Sequence, residues 1–117
     1  MKDLNEFFDF AKILLERIDV PPEFGDAAIL VRITGGEEDR DLAIDVRERH
    51  AALVDASSIE PNVTINVKED ALFKILESPR SLPGAFLRGD FKVSGDMGLL
   101  KKIASLAKDL PKIETPF

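Results

Sequence analysis

The chain has no cysteine and a single histidine, His50, among its 117 residues. Without cysteine it cannot form a disulfide, use a thiolate nucleophile or hold a metal through sulfur. A lone histidine cannot supply a dyad with a thiol or a zinc site of the usual kind, which needs several Cys or His ligands. We therefore expect no metal and no cofactor, and we interpret His50 as an exposed strand or turn residue.

Long apolar runs and an excess of positive charge are also missing. No stretch approaches the roughly 20 apolar residues of a membrane-spanning helix, and the start, MKDLNEFFDF, places acids among its apolar residues, unlike a signal peptide. The net charge of -6 gives no overall field that attracts nucleic acid or anionic lipid headgroups. These absences predict a cytoplasmic protein with no nucleic-acid partner and no stable membrane insertion.

Catalytic motifs are absent as well. Ser57 and Ser58 lack the context of a nucleophile elbow, and SGDMG matches neither a phosphate loop nor a dinucleotide fingerprint. The chain has 22 acids, so carboxylates such as Asp45, Asp55 and Asp70 are explained by a solvated face. We expect a protein that is not an enzyme.

What is present is the composition of an ordinary folded domain, 44% hydrophobic and 32% charged. A chain of this length can bury one hydrophobic core but is too short to form two domains. We therefore treat residues 1–117 as one domain that folds in water.

Apolar residues at helical spacing predict an amphipathic helix at the start of the chain. Its apolar face carries Leu4, Phe7, Ala11 and Leu14, and the run DVPP ends it. The segment KEDALFKILESP predicts a second, short helix that ends before Pro79.

Alternation with a period of two predicts five strands, of which the third, in HAALVDASS, has the least clear facing. The apolar sides of the other four carry Ile29, Val31, Ile33, Leu42, Ile44, Val46, Val63, Ile65, Val67, Phe91 and Val93. A sheet with one apolar and one polar face is typical of antiparallel strands that helices cover on one side only. The pattern thus predicts an α+β fold.

Two glycines, Gly89 and Gly95, flank the fifth strand at positions where a side chain would obstruct a turn or a close neighbour. Asp96 follows, and its carboxylate can accept hydrogen bonds from the free amides at a helix start. We therefore predict a last helix from about Met97, ended by Pro111.

The stretch AFLRGDFKVSGDMGLLKKI, residues 85–103, resembles the signature of the sterol carrier protein type 2 family, the non-specific lipid-transfer domains. The stretch NVTINVKEDALFKIL, residues 62–76, resembles the same family's fourth strand and following helix. The resemblance implies a five-stranded, mainly antiparallel sheet with helices covering one face. It also implies a hydrophobic tunnel between sheet and helices.

In such a domain the tunnel holds a fatty acid, acyl chain, isoprenoid or sterol-like lipid, for lipid transfer or presentation. The candidate walls lie on the inward faces of the elements that the family uses: Phe7, Leu14, Phe73, Leu76, Phe86, Phe91, Met97, Leu100, Ile103 and Leu106. Leu100 stands where many relatives have Ala, and Asp90 where many have Lys. The sequence ends in Thr-Pro-Phe, so we expect no peroxisomal signal of the kind that some relatives carry.

Two alternatives stay open at this point. An accessory domain of a lipid or isoprenoid pathway would pass an apolar intermediate to a partner enzyme. A homodimeric interaction scaffold would instead pack the same apolar residues as a filled core, with no transfer activity. A lipid-binding protein would bind a fluorescent fatty acid that a competing lipid displaces, whereas a scaffold with a filled core would not.

Overall fold

The computed structural model describes residues 3–107, except for the side chains of Pro79 and residues 103–107. The helices are α1 (Leu4–Arg17), α2 (Glu69–Glu77), α3 (Leu82–Arg88) and α4 (Met97–Ala107). The strands are β1 (Ala27–Thr34), β2 (Arg40–Arg47), β3 (His50–Val54), β4 (Val63–Lys68) and β5 (Phe91–Gly95). The predicted end of the last helix at Pro111 lies outside the described residues.

The five strands form one sheet in the order β3-β2-β1-β4-β5. Neighbouring strands are antiparallel except for β1 and β4, which run parallel, with Val31 opposite Ile65. On the far side of β4, Ile65 lies opposite Val93 of β5. The α+β fold with a mainly antiparallel sheet is thus confirmed.

The helices pack on one face of the sheet. Leu4 of α1, Ala71 of α2 and Ala85 of α3 are buried in the same cluster as Ile33 of β1. Leu99 of α4 is buried in a second cluster on that face. Helical cover of one face is confirmed as well.

The opposite face is less polar than the alternation in the sequence predicts. Leu30, Ala28 and Ala43 point to that side and are buried. The connection from β3 to β4 crosses this face, and its Asn62 exchanges hydrogen bonds with Ala28, donating its N–H to the carbonyl and accepting at Oδ1 from the amide, both at 2.8 Å. Ile59 lines a small pocket beside Ala28. The crossover therefore covers apolar side chains that alternation assigns to solvent.

The two glycines and Asp96 set the limits of β5 and α4. Gly89 ends α3 in the left-handed conformation with φ 78°, and the Asp90 amide donates to the Ala85 carbonyl at 2.9 Å, which closes the last turn. At the other end, Asp96 Oδ1 accepts from the Leu99 amide at 3.1 Å. The predicted N-cap and the start of the last helix at Met97 are confirmed.

Candidate functional site

The apolar core on the helical face is divided into two buried clusters. The first joins α1, α2 and α3 to the sheet, and the residues that define it are Leu4, Phe7, Ala11, Ile33, Leu42, Val67, Ala71 and Ala85. The second lies at the other end of the strands and consists of Val20, Phe24, Ala27, Val46, Val63 and Leu99. The middle of the helical face of the sheet lies between these two clusters.

A row of half-buried apolar side chains crosses the sheet between these clusters. We call it the central row, and its members, one from each strand in sheet order, are Leu53, Ile44, Val31, Ile65 and Val93. Leu53 lies opposite Ile44, and Ile65 lies opposite both Val31 and Val93, with one diagonal step between β2 and β1. The row is therefore continuous from one edge of the sheet to the other.

Burial along β4 shows how the central row differs from its neighbours. Val63 is 1% exposed and Val67 is 2% exposed, whereas Ile65 between them is half-buried although it is on the same face. The same order of buried, half-buried and buried occurs in β1 and β2 around Val31 and Ile44. The centre of a covered sheet is ordinarily its most buried part, so this arrangement points to space above the row.

Four of the predicted wall residues lie in or against the first cluster. Phe7 is buried in the first cluster, and Phe73, Leu76 and Phe91 are half-buried against it. Phe7 also meets Phe8 edge to face, with ring centroids 6.0 Å apart. Members of the central row pack against the same cluster.

The other predicted walls are placed differently. Leu14 and Leu100 are half-buried and belong to neither cluster. Phe86 is 60% exposed, and Met97 is also largely in solvent. Ile103 and Leu106 lie on α4, but their side chains are outside the described residues.

The sequence pattern does not single out the central row, although it places four of the row's five residues on the apolar face of the sheet. It does not distinguish Val31, Ile44 and Ile65 from other residues of that face. The one signal available was position, because each is the middle apolar residue of its strand.

The buried interior of the described residues is apolar. Among residues 3–102, apart from Pro79, no buried side chain is polar or charged, and no side-chain nitrogen or oxygen is buried without a partner. An interior of this kind can bind apolar groups by removing them from water. It offers no hydrogen bond that would hold a polar headgroup in place.

Metal sites and membrane spans were sought over the same part of the chain. His50 is exposed at the start of β3, as predicted. No group of three or more His, Cys, Asp or Glu side chains in the described part could hold a metal ion. None of the helices there is both long and apolar enough to cross a bilayer.

Asp90 ties the end of α3 to β4 and β5. Its carboxylate accepts a hydrogen bond from Arg88 Nε at 3.1 Å and lies 3.4 Å from Lys68 Nζ. The hydrogen bond from Arg88 is the main reason why the pKa of Asp90 lies below its ordinary value. Desolvation opposes this effect, and Lys68 adds to it. Asp90 therefore forms ion pairs with two cations.

We predict that Asp90→Asn lowers the Tm slightly at neutral pH and that the loss disappears in acid. A carboxylate whose pKa is lowered by folding stabilises the native state above its unfolded pKa, near 3.8, and ceases to do so as the pH falls through the folded pKa. Thermal unfolding of both proteins from neutral pH to below that value measures the difference. Asp9→Asn, on exposed α1 surface, controls for losing one negative charge. A Tm difference independent of pH would contradict the role of the ion pairs.

The comparisons with known proteins agree with this architecture. The profile of the SCP-2 sterol transfer family matches residues 23–108. Peroxisomal multifunctional enzyme A of Dictyostelium discoideum is 33% identical over 78 residues, which are 66% of this chain and 18% of that protein. The chain thus spans a small part of this relative's length.

Solved structures with the same fold include the sterol carrier protein domain 2 of Helicoverpa armigera, with a TM-score of 0.69 and 18% identity over 96% of this chain and 93% of that one. Palmitated SCP2L2 of Aedes aegypti has a TM-score of 0.66 and 19% identity, and the match covers 88% of this chain and 92% of that one. Since the family profile spans most of its sequence, the chain belongs to the SCP-2 sterol transfer family, whose members bind lipids.

Proposed function

We propose that the central row is the floor of a hollow in which this protein holds one lipid chain for transfer or presentation. The observation that carries the proposal is the divided core, with half-buried Val31, Ile44 and Ile65 lying between two clusters that are nearly sealed from solvent. A filled core has its best-buried residues at the centre of the sheet, whereas here they lie at the two ends.

The dimensions of the row suit an acyl chain. It crosses five strands, and four strand spacings of about 4.8 Å give a length of roughly 19 Å. That is close to the length of an extended long-chain fatty acid. Phe73, Leu76 and Phe91 would form one wall, Phe7 would support them, and Leu14 and Leu100 would line the openings.

Burial alone supplies enough free energy for such a ligand. At about 0.8 kcal/mol per methylene, a palmitate-length chain gains on the order of 12 kcal/mol before the ordering costs of binding are subtracted. No polar contact is needed for this gain. The selectivity that follows is for length and apolar character, so the proposed ligand class is fatty acids, acyl chains, isoprenoids and sterol-like lipids.

The proposed role is carriage of a lipid with no chemical step. The Dictyostelium relative is named a multifunctional enzyme, but the matching segment is only 18% of it. The shared fold therefore gives no reason to assign that enzyme's activity to this chain. A lipid held by burial alone can be passed to a partner enzyme or to a membrane. We propose that this chain acts as the carrier in such a step.

The test is a titration of delipidated protein with a fluorescent fatty acid. We expect saturable binding at one site and displacement of the probe by palmitate, the group named for the Aedes structure. Binding that does not saturate, or that palmitate fails to displace, would contradict the proposal and favour a scaffold with a filled core.

A further inference from the structure

A pocket of about 260 Å³ lies at the end of the sheet where β1 and β4 finish and β5 starts. Residues at the start of α2 and at the end of α3 also line it. We call it the basic pocket, and the charged side chains that line it are Lys68, Lys74, Arg88, Asp70 and Asp90.

The balance of charge in the basic pocket is opposite to that of the protein. Three cations and two acids line it, although the chain has 22 acids and a net charge of -6. Two other pockets on the described surface follow the overall charge, since one is lined by four acids and Arg40 and the other by three acids and Arg47. The basic pocket therefore concentrates positive charge on an acidic protein.

The acids of the pocket leave part of this positive charge without a partner. Asp90 is shared, because its carboxylate accepts from Arg88 Nε at 3.1 Å and lies 3.4 Å from Lys68 Nζ. Lys74 is exposed, and within the described part of the chain its ammonium group has no ion pair or hydrogen bond, not even with Asp70 one turn before it. One carboxylate is thus divided between two cations, and a third cation is free.

The pocket also has room for a ligand. Its uncharged wall residues are Gly35 and Ala71, which are small. A volume of about 260 Å³ equals that of roughly eight or nine water molecules at about 30 Å³ each. A further cation lies close by, since Lys92 Nζ is 4.0 Å from the position that a Cβ on Gly89, the residue before Asp90, would occupy.

We propose that the basic pocket binds the phosphate group of a small, water-soluble phosphate ester. Such a group carries a charge of about -1.5 to -2 at neutral pH and three acceptor oxygens, so it can engage several cations at once. Arg88 uses its Nε for Asp90 and has two further guanidinium nitrogens to donate. Lys68 and Lys74 add ammonium donors, and the remaining space takes the first atoms of the ester.

The basic pocket is separate from the proposed hollow. Val67 lies on β4 between Ile65 of the central row and Lys68 of the pocket, and it is 2% exposed within the first cluster. A lipid in the hollow would have to place its headgroup across this packed layer to reach the pocket. The separation favours a free ligand, and the proposal does not depend on lipid binding.

The experiment is amide NMR of the isotope-labelled protein titrated with inorganic phosphate and with glycerol phosphate, at constant ionic strength in chloride buffer. We expect saturable shifts of the amides that line the pocket, with both compounds, and none in the central row. We expect Lys74→Gln to weaken binding about fivefold, because a cation without a partner is lost. Asp70→Asn should strengthen binding about threefold, because a charge that repels the anion is removed.

Lys12→Gln is the matched control, because Lys12 is exposed on α1, which packs beside β3 at the other edge of the sheet. It is expected to bind phosphate as the unaltered protein does. The proposal is overturned if the shifts do not saturate, if acetate binds as tightly as phosphate, or if glycerol phosphate does not bind. It is also overturned if Lys12→Gln weakens binding as much as Lys74→Gln. Binding of the fluorescent fatty acid, expected unchanged in Lys74→Gln, reports on the hollow separately.

Discussion

Replacing Ile65 with tryptophan is expected to lower the affinity for palmitate by at least about 100-fold while leaving the protein folded. The indole would occupy the middle of the central row, where the proposed lipid lies. The proposed hollow would accommodate the larger side chain, which should therefore change the free energy of unfolding by less than about 1 kcal/mol. Displacement of a fluorescent fatty acid and urea unfolding measure the two effects.

The matched control for Ile65→Trp is two residues along the same strand. Val67 points to the same face but is 2% exposed within the first cluster. Val67→Trp has no space to fill and is expected to destabilise the protein by about 3 kcal/mol or more. If the two variants were equally destabilised, the middle of the sheet would be as tightly packed as its end, and the hollow would be excluded.

Replacing Gly95 with alanine is expected to destabilise the protein by about 3 kcal/mol. The residue has φ 111°, which side chains rarely adopt, and an added Cβ would overlap the backbone carbonyl oxygen of Asn62. Neither group can move freely, because the Asn62 carbonyl already accepts from the Asp96 amide and Gly95 pairs with Val63. Thermal and urea unfolding give the loss.

Gly89→Ala separates the two causes. Gly89 also has a positive φ, 78°, in the left-handed helical region, but an added Cβ would meet only the end of the flexible Lys92 side chain, at 3.4 Å. Its replacement should therefore cost about 1 kcal/mol, the effect of backbone conformation alone. Equal losses in the two variants would show that the close approach of β5 to Asn62 has no energetic weight.

The limits of β5 and α4 could be predicted because the chemistry that sets them is local. A glycine that permits a positive φ and an aspartate that accepts from Leu99 act within a few residues of their own positions. The order of the elements followed from the same kind of signal, together with the resemblance that residues 85–103 carry. Local signals of this kind need no knowledge of packing.

The central row could not be predicted in the same way. Ile65 and Val67 are both β-branched, lie on the same face of the same strand and have polar neighbours, so their sequence environments are alike. What distinguishes them is how closely the rest of the chain packs on each, and that depends on contacts between distant parts of the chain. The crossover's Asn62, which bonds to Ala28 from 34 residues away, is another non-local contact of this kind.

Helix α3 shows a third limit of sequence reasoning. Phe86 is a candidate wall because the family resemblance places it on the inward face of its element, yet it is the small Ala85 that packs inward. The cap at Gly89 and the bond from Asp90 to Ala85 fix the rotation of the helix. A helix of two turns has no periodicity long enough to reveal such a rotation.

The most direct measurement of the central claim is methyl NMR of the protein titrated with palmitate. We predict contacts between the acyl chain and the methyl groups of Val31, Ile44 and Ile65. No such contacts are predicted for Val63 and Val67, which lie on the same face within the buried clusters. Contacts confined to exposed side chains such as Leu87, or their absence at saturating palmitate, would contradict the account.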